Sequence, residues 1–257
     1  MKSKSPLILV TNDDGINAPG IRTLISIVSE LGEVFVVAPD RPQSGMGHAI
    51  TINSTLRIQA LNLGSRATEY SCSGTPVDCV KMAINKLMPR KPDLIVSGIN
   101  HGSNSSINVI YSGTMSAAVE GAIEDIPSIG FSLCNHSIDA DFEATKMYVK
   151  QICEKVLSES LPSGVCLNVN FPDVKSELIA GIKVCKQAKA MWVEDLEERL
   201  DPSGKPYYWL TGYFKNQDHG EDTDEWALKN NFISIVPVHI DFTAYHAIQK
   251  IKEWKFK

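Results

Sequence analysis

None of the six cysteines, Cys72, Cys79, Cys134, Cys153, Cys166 and Cys185, forms a C-x-x-C pair. Several sit in apolar runs such as Gly164-Val165-Cys166-Leu167, which leaves buried, reduced thiols as the expectation. Long hydrophobic runs are also lacking. The basic start, Met1 to Ser5, leads into an apolar run of only Leu7 to Val10, too short for a secretion signal, and no window is long enough to span a bilayer. A cytoplasmic protein with no membrane partner is expected. Positive charge is in deficit: 25 Lys and Arg stand against 30 Asp and Glu, a net charge of -5. This argues against a general grip on a nucleic acid polymer or an anionic surface. A small anionic substrate is still allowed, because a metal ion and backbone amides can invert the potential locally.

Motifs are lacking as well. No G-x-x-x-x-G-K-[ST] occurs, which excludes a P-loop, and no H-E-x-x-H supports a zinc protease. The six histidines show no metal-ligand spacing. Gln43-Ser44-Gly45 follows Pro42, so the first glycine of a nucleophile elbow is missing. The first turn reads Asn12-Asp13-Asp14-Gly15 in place of G-x-G-x-x-G, which counts against a dinucleotide oxidoreductase.

What remains is ordinary for a soluble globular protein, 43% hydrophobic and 21% charged. The length, 257 residues, suits one large α/β domain with or without a small appendage. Leu7 to Val10, Val34 to Val37, Leu94 to Val96, Ser128 to Leu133 and Cys166 to Val169 are short apolar runs, as expected of strands buried on both faces. Between them lie helical patterns: Pro19 to Leu31, a stretch from Gly74-Thr75-Pro76 through Leu87, Thr114 to Ile123, and Phe142 to Leu157. The rhythm predicts a mostly parallel sheet covered by helices on both sides. Residues 50–73 interrupt it, read as an antiparallel excursion. Beyond about residue 180 it fades. Residues from about Ile182 to Phe214 hold Trp192, Tyr207, Tyr208, Trp209 and Tyr213 around a Gly204-Lys205-Pro206 turn, and read as a β-hairpin arm. Phe232 to Val238 reads as a strand returning to the core and Tyr245 to Trp254 as a short terminal helix. The division expected is a core over residues 1–180 and arm and assembly elements over 181–257.

Sites in parallel α/β sheets form outside the carboxyl ends of strands. Three such turns carry oxygen ligands, amides and glycines: Asn12 to Gly15, Asp40 to Gly45, and Ser97 to Asn104 continuing to Tyr111-Ser112-Gly113-Thr114. A helix cap and turn would account for one aspartate; the adjacent pair Asp13-Asp14 is better explained by a hard cation that cancels their repulsion. Ser44 and Asn100 offer neutral oxygens to the same ion, although each alone is also an ordinary loop residue. Ser112-Gly113-Thr114 opens a helix and offers an anion site or plain capping. Asn104 is a further donor. His101 either touches substrate or is solvated, and Asp222-Thr223-Asp224 reads as a cap or turn.

These residues together resemble the SurE survival protein family. Thr11 to Gly15 with Ala18-Pro19-Gly20, Ala38-Pro39-Asp40 with Ser44-Gly45, Gly74-Thr75-Pro76, and Ser97 to Asn100 with Tyr111 to Thr114 match its signatures, as do Asp222 to Asp224, Ile233 to Pro237 and Asp241. The resemblance implies a three-layer α/β/α sandwich with a Rossmann-like, mostly parallel sheet, and metal-dependent nucleotidase activity on nucleoside 5′-monophosphates, with 3′-monophosphates and short polyphosphate as further substrates. It gives the metal, one Mg²⁺ or Mn²⁺ per subunit, to Asp13, Asp14, Ser44 and Asn100. It gives phosphate to Asn104, Ser112, Gly113 and Thr114, and implies a homodimer or homotetramer joined through the C-terminal portion. The chain departs from the family at Ser105-Ser106-Ile107-Asn108-Val109, where a glycine and acidic residues are expected. Asp13 or Asp14 would act as general base on water, or one of them as a direct nucleophile. A metal-dependent nucleotide sensor without turnover is the alternative from another class.

Overall fold

The computed structural model describes residues 5–64 and 66–256, so most of the basic N-terminal stretch lies outside it. In chain order the elements are β1 (Leu7–Thr11), α1 (Pro19–Val28), β2 (Glu33–Pro39), β3 (Ile58–Leu61), β4 (Thr68–Cys72), α2 (Pro76–Met82), β5 (Leu94–His101), α3 (Gly113–Ile123), β6 (Ser128–Leu133), α4 (Lys146–Glu159), β7 (Val165–Phe171), β8 (Gly181–Val184), β9 (Ala190–Leu200), β10 (Pro206–Asn216), α5 (Asp224–Lys229), β11 (Phe232–His239) and α6 (Tyr245–Lys252).

The two-residue period of the apolar runs sorts side chains into layers. Ile8 and Val10 of β1, with Val34 and Val36 of β2, join Ile21, Leu24, Ile25 and Val28 of α1 and Val149, Ile152 and Val156 of α4 in one core cluster. Their neighbours Leu7, Leu9, Phe35 and Val37 point the other way, into a second cluster with Cys79 and Val80 of α2 and Ala117 of α3. Burial on both faces is why these strands read as continuous apolar runs. The result is the expected α/β/α sandwich.

Among the described residues, nine strands form one sheet in the order β3-β4-β2-β1-β5-β6-β7-β11-β8. Pairing is parallel from β4 through β7. The excursion over residues 50–73 is antiparallel only in part, since β3 runs against β4 while β4 lies parallel to β2. β11 returns to the sheet antiparallel to β7. One boundary differs from the sequence reading: residues 181–184, expected in the arm, form the edge strand β8 beside β11. The arm itself is the separate ribbon β9–β10, paired from Ala190↔Asn216 to Leu200↔Pro206. All six cysteines are free, five of them buried.

Helix entries follow local chemistry. At α2 the Thr75 hydroxyl accepts from Asp78 N while the Asp78 carboxylate accepts from Thr75 N, a reciprocal cap. Asp222-Thr223-Asp224 is a cap and more. Thr223 caps α5, and Asp224 accepts from the backbone N–H groups of Ser106 at 2.7 Å and Ala188 at 2.9 Å. It thereby ties the loop after β5 to the root of the arm.

Candidate active site

The strand order places the site. From β1 the chain builds outward through β2 and β4, then resumes on the other side with β5, β6 and β7. Loops leaving β1 and β5 diverge, and a crevice opens between them at this switch point. Asp13 and Asp14 follow β1, and Asn100 ends β5. Gly20 lets α1 approach the same crevice, since a Cβ there would stand 1.9 Å from the Ile99 carbonyl oxygen.

Asp13 is buried, at 4% exposure. Burial, with the adjacent Asp14 charge second, pushes its carboxyl up to about 6. Thr114 works against this by donating its hydroxyl to the Asp13 carboxylate. Gly113 permits the approach: a Cβ there would sit 2.7 Å from that of Asp13. Burial also raises the Asp14 carboxyl, which is opposed by the His101 N–H donating to its Oδ2 at 3.3 Å. Asn100 donates Nδ2 to the carbonyls of His101 and Gly102, at 3.2 and 2.8 Å, which turns its Oδ1 the other way. The Ser44 loop is held at both ends. Gln43 N–H donates to the Asp13 carbonyl at 2.7 Å and Gly47 N–H to that of Tyr111 at 3.3 Å. The buried Glu120 of α3 pairs with His48 and Lys81 just beyond.

Asn104 is held from three sides. Its N–H donates to Asn170 Oδ1, its side-chain amide to Ser132 Oγ, and its carbonyl accepts from Asn168 Nδ2, at 2.7 to 2.8 Å. Sequence reasoning missed Asn168 and Asn170. The available signal was two asparagines spaced by two in an otherwise apolar strand, hence on one face. Ser112 caps α3, accepting from Met115 N at 3.0 Å.

One cavity of about 1100 Å³ gathers Asp13, Ser44, Asn100, Asn104 and Ser112 on its wall. Asp14, Gly113 and Thr114 do not line it: Gly113 and Thr114 pack on Asp13, and Asp14 is half-buried beside it in the chain. Thr114, expected at the phosphate, is not on the cavity wall. Its side chain is fully buried and its hydroxyl is committed to Asp13, because Asp13 is the nearest buried charge to the first turn of α3. Among the described residues, no three His, Cys, Asp or Glu side chains converge as a ligand set. The donor chemistry here is two carboxylates with an amide oxygen and a hydroxyl. That set suits a hard cation such as Mg²⁺ or Mn²⁺, and such an ion would offset the burial that raises both carboxyls and the Asp14 charge that further raises Asp13.

Comparison with known proteins agrees over nearly the whole chain. Residues 8–194 match the family "Survival protein SurE". A protein of Flavobacterium psychrophilum named 5′-nucleotidase SurE is 65% identical over 250 residues, covering 97% of each chain. One of the same name from Flavobacterium johnsoniae is 62% identical and covers 99% of each. The crystal structure of the SurE protein from Aquifex aeolicus is 40% identical with a TM-score of 0.83, covering 96% of this chain and 98% of its own.

Proposed function

The chain belongs to the Survival protein SurE family, and on that premise we propose a divalent-metal-dependent phosphatase that releases phosphate from nucleoside 5′-monophosphates. The observation that carries this is the meeting, in one cavity at the switch point, of the Asp13 carboxylate, whose chain neighbour is Asp14, with two neutral oxygens and the start of α3. Asp13, Asp14, Ser44 and Asn100 would hold the metal. When bound, it supplies charge neutralisation for a phosphoryl oxygen and an acidified water.

The chain's own groups do the rest. The first turn of α3, entered through Ser112, lends its N–H groups and dipole to the phosphoryl oxygens, where charge develops in the transition state. Asn104, locked by Asn170, Ser132 and Asn168, sets the far wall of that pocket. Thr114 keeps Asp13 ionised and oriented. Asp14, half-buried where Asp13 is buried and held by the long hydrogen bond from His101, is the more accessible of the two carboxylates and would take a proton from the attacking water.

The test is phosphate release from AMP with added Mn²⁺ and its loss on chelation. Binding of AMP without release would instead establish a sensor. Short polyphosphate and 3′-monophosphates belong in the same screen. A second prediction concerns Thr114→Val, which keeps shape but removes the donated hydroxyl. A hydrogen bond to a charged group contributes about 1.5–3 kcal/mol, so metal affinity should fall roughly ten- to a hundredfold. Turnover at saturating metal should change far less. Isothermal titration with Mn²⁺ beside steady-state kinetics decides it, and unchanged metal affinity with collapsed turnover would return this hydroxyl to the phosphate.

A further inference from the structure

The cavity is larger than a metal ion and a phosphate need. At about 1100 Å³ it lies just beyond the range of about 300–1,000 Å³ for pockets that enclose a whole organic ligand. From the phosphate end at Ser112 it runs past Asn108 to the root of the arm, where Trp192 of β9 and Phe214 of β10 form its wall. These two are directly paired across the ribbon, with ring centroids 5.7 Å apart in an edge arrangement.

Two tryptophans line this cavity, and they are not equivalent. Trp226 is already stacked on Phe232 at 6.2 Å and carries the Lys183 ammonium 4.5 Å from its ring centre. Trp192 has only the edge contact to Phe214, and stays 46% exposed. Its indole is nonetheless held in place, because Nε1–H donates to Asn108 Oδ1 at 2.8 Å. Asn108 in turn lies on the short helical turn Ser106–Ile110, which is pinned by Ser106. That residue's N–H donates to Asp224, and its hydroxyl donates to the Ala188 and Ala190 carbonyls. A flat, apolar, immobilised surface with an open face therefore stands in the phosphate cavity.

We propose that Trp192 is the stacking platform for the nucleobase of the substrate, with Asn108 as its positioning residue. The proposal rests on the nucleotidase reading and deepens it. An aromatic face accepts any base, since every base offers a π-face. The site thus selects nucleotides over aliphatic phosphate esters, while discriminating weakly among bases. Stacking on an aromatic side chain contributes about 1–3 kcal/mol per base, or roughly five- to a hundredfold in affinity.

The experiment compares full-length wild type, Trp192→Ala and Trp192→Phe, loaded with Mn²⁺, on AMP and on glycerol 3-phosphate. Calorimetric titration with adenosine, which carries no phosphate, runs alongside. Trp192→Ala should raise KM for AMP roughly tenfold or more and weaken adenosine binding equally, leaving kcat on AMP and kcat/KM on glycerol 3-phosphate unchanged. Trp192→Phe should keep most of the affinity. The proposal is overturned if adenosine binds wild type and Trp192→Ala alike. It is equally overturned if AMP and glycerol 3-phosphate lose activity together, which would mark a structural role. Should wild type release phosphate from neither ester, the phosphatase reading fails, and the adenosine titration still decides the platform on its own.

Discussion

Asp13→Asn should nearly abolish phosphate release and, in chelator, should unfold at a higher temperature than wild type. The two effects have one cause. Asp13 is a buried carboxylate beside a second one, and burial and that neighbour push it up to about 6. Metal-assisted charge stabilisation is worth several kcal/mol, so losing a charged ligand should cost on the order of a thousandfold in turnover. Without metal the same charge is a liability. A carboxyl raised by about 2 units is less stable in its ionised form by roughly 3 kcal/mol. Asparagine removes that cost and still accepts from Thr114. At about 2–4 °C per kcal/mol for a chain of this size, the metal-free variant should melt several degrees later.

The pH dependence carries a sign. The folded-state pKa lies above the unfolded one, so between about pH 4 and pH 6 the unfolded chain has released a proton that the folded chain retains. Stability from this group is therefore greatest at the acid end and falls as pH rises through that window. The metal-free wild type should show the fall and Asp13→Asn should lack it. Melting curves in chelator at several pH values check both statements. An Asp13→Asn protein that melts earlier than wild type, or turns over normally at low metal, would remove Asp13 from the metal site.

Shortening the arm should turn an oligomer into a monomer while sparing the chemistry. Among the described residues β9 and β10 pair only with each other, and an isolated two-stranded ribbon is marginal in water. Yet Leu196, Leu200, Tyr207, Tyr208, Trp209 and Leu210 are exposed along it. The terminal helix α6 buries none of its residues, although Tyr245, Ile248 and Ile251 recur at one-turn spacing. Apolar surface on that scale marks an interface, and closed two-fold assembly covers it most simply. We propose a homodimer or homotetramer joined through these elements. The register shows where to cut: Glu194 pairs with Gly212, so replacing residues 194–212 by a two-residue turn keeps Trp192 opposite Phe214. Light scattering at micromolar concentration should then report a monomer that still cleaves AMP. A full-length protein that is itself monomeric would refute the assembly.

Some of this was written in local sequence and some was not. Strands buried on both faces announce themselves as apolar runs. A turn after such a strand is a site by topology, so Asp13, Ser44, Asn100 and Asn104 could be singled out before any coordinates. The cap at Thr75 and the one at Thr223 are equally local, each settled within four residues. The edge strand β8 was misplaced into the arm because Gly181–Val184 alternates in burial and carries no long apolar run. Only its pairing with β11 identifies it.

The division follows the range of the interactions. Sequence by itself determined which residues leave the carboxyl ends of the strands, because hydrophobic period and turn chemistry act between near neighbours. Tertiary structure alone decided what those residues face. Thr114 reaches Asp13 across 101 positions, since sheet order brings the start of α3 against the end of β1 and burial demands a donor for that carboxylate. Trp192 meets Asn108 across 84, because Asp224 ties the root of the arm to the loop after β5. Neither pairing has a periodic signature, for each depends on where two distant segments are packed. That packing sets the Thr114 hydroxyl against the Asp13 carboxylate, and an indole on the cavity wall.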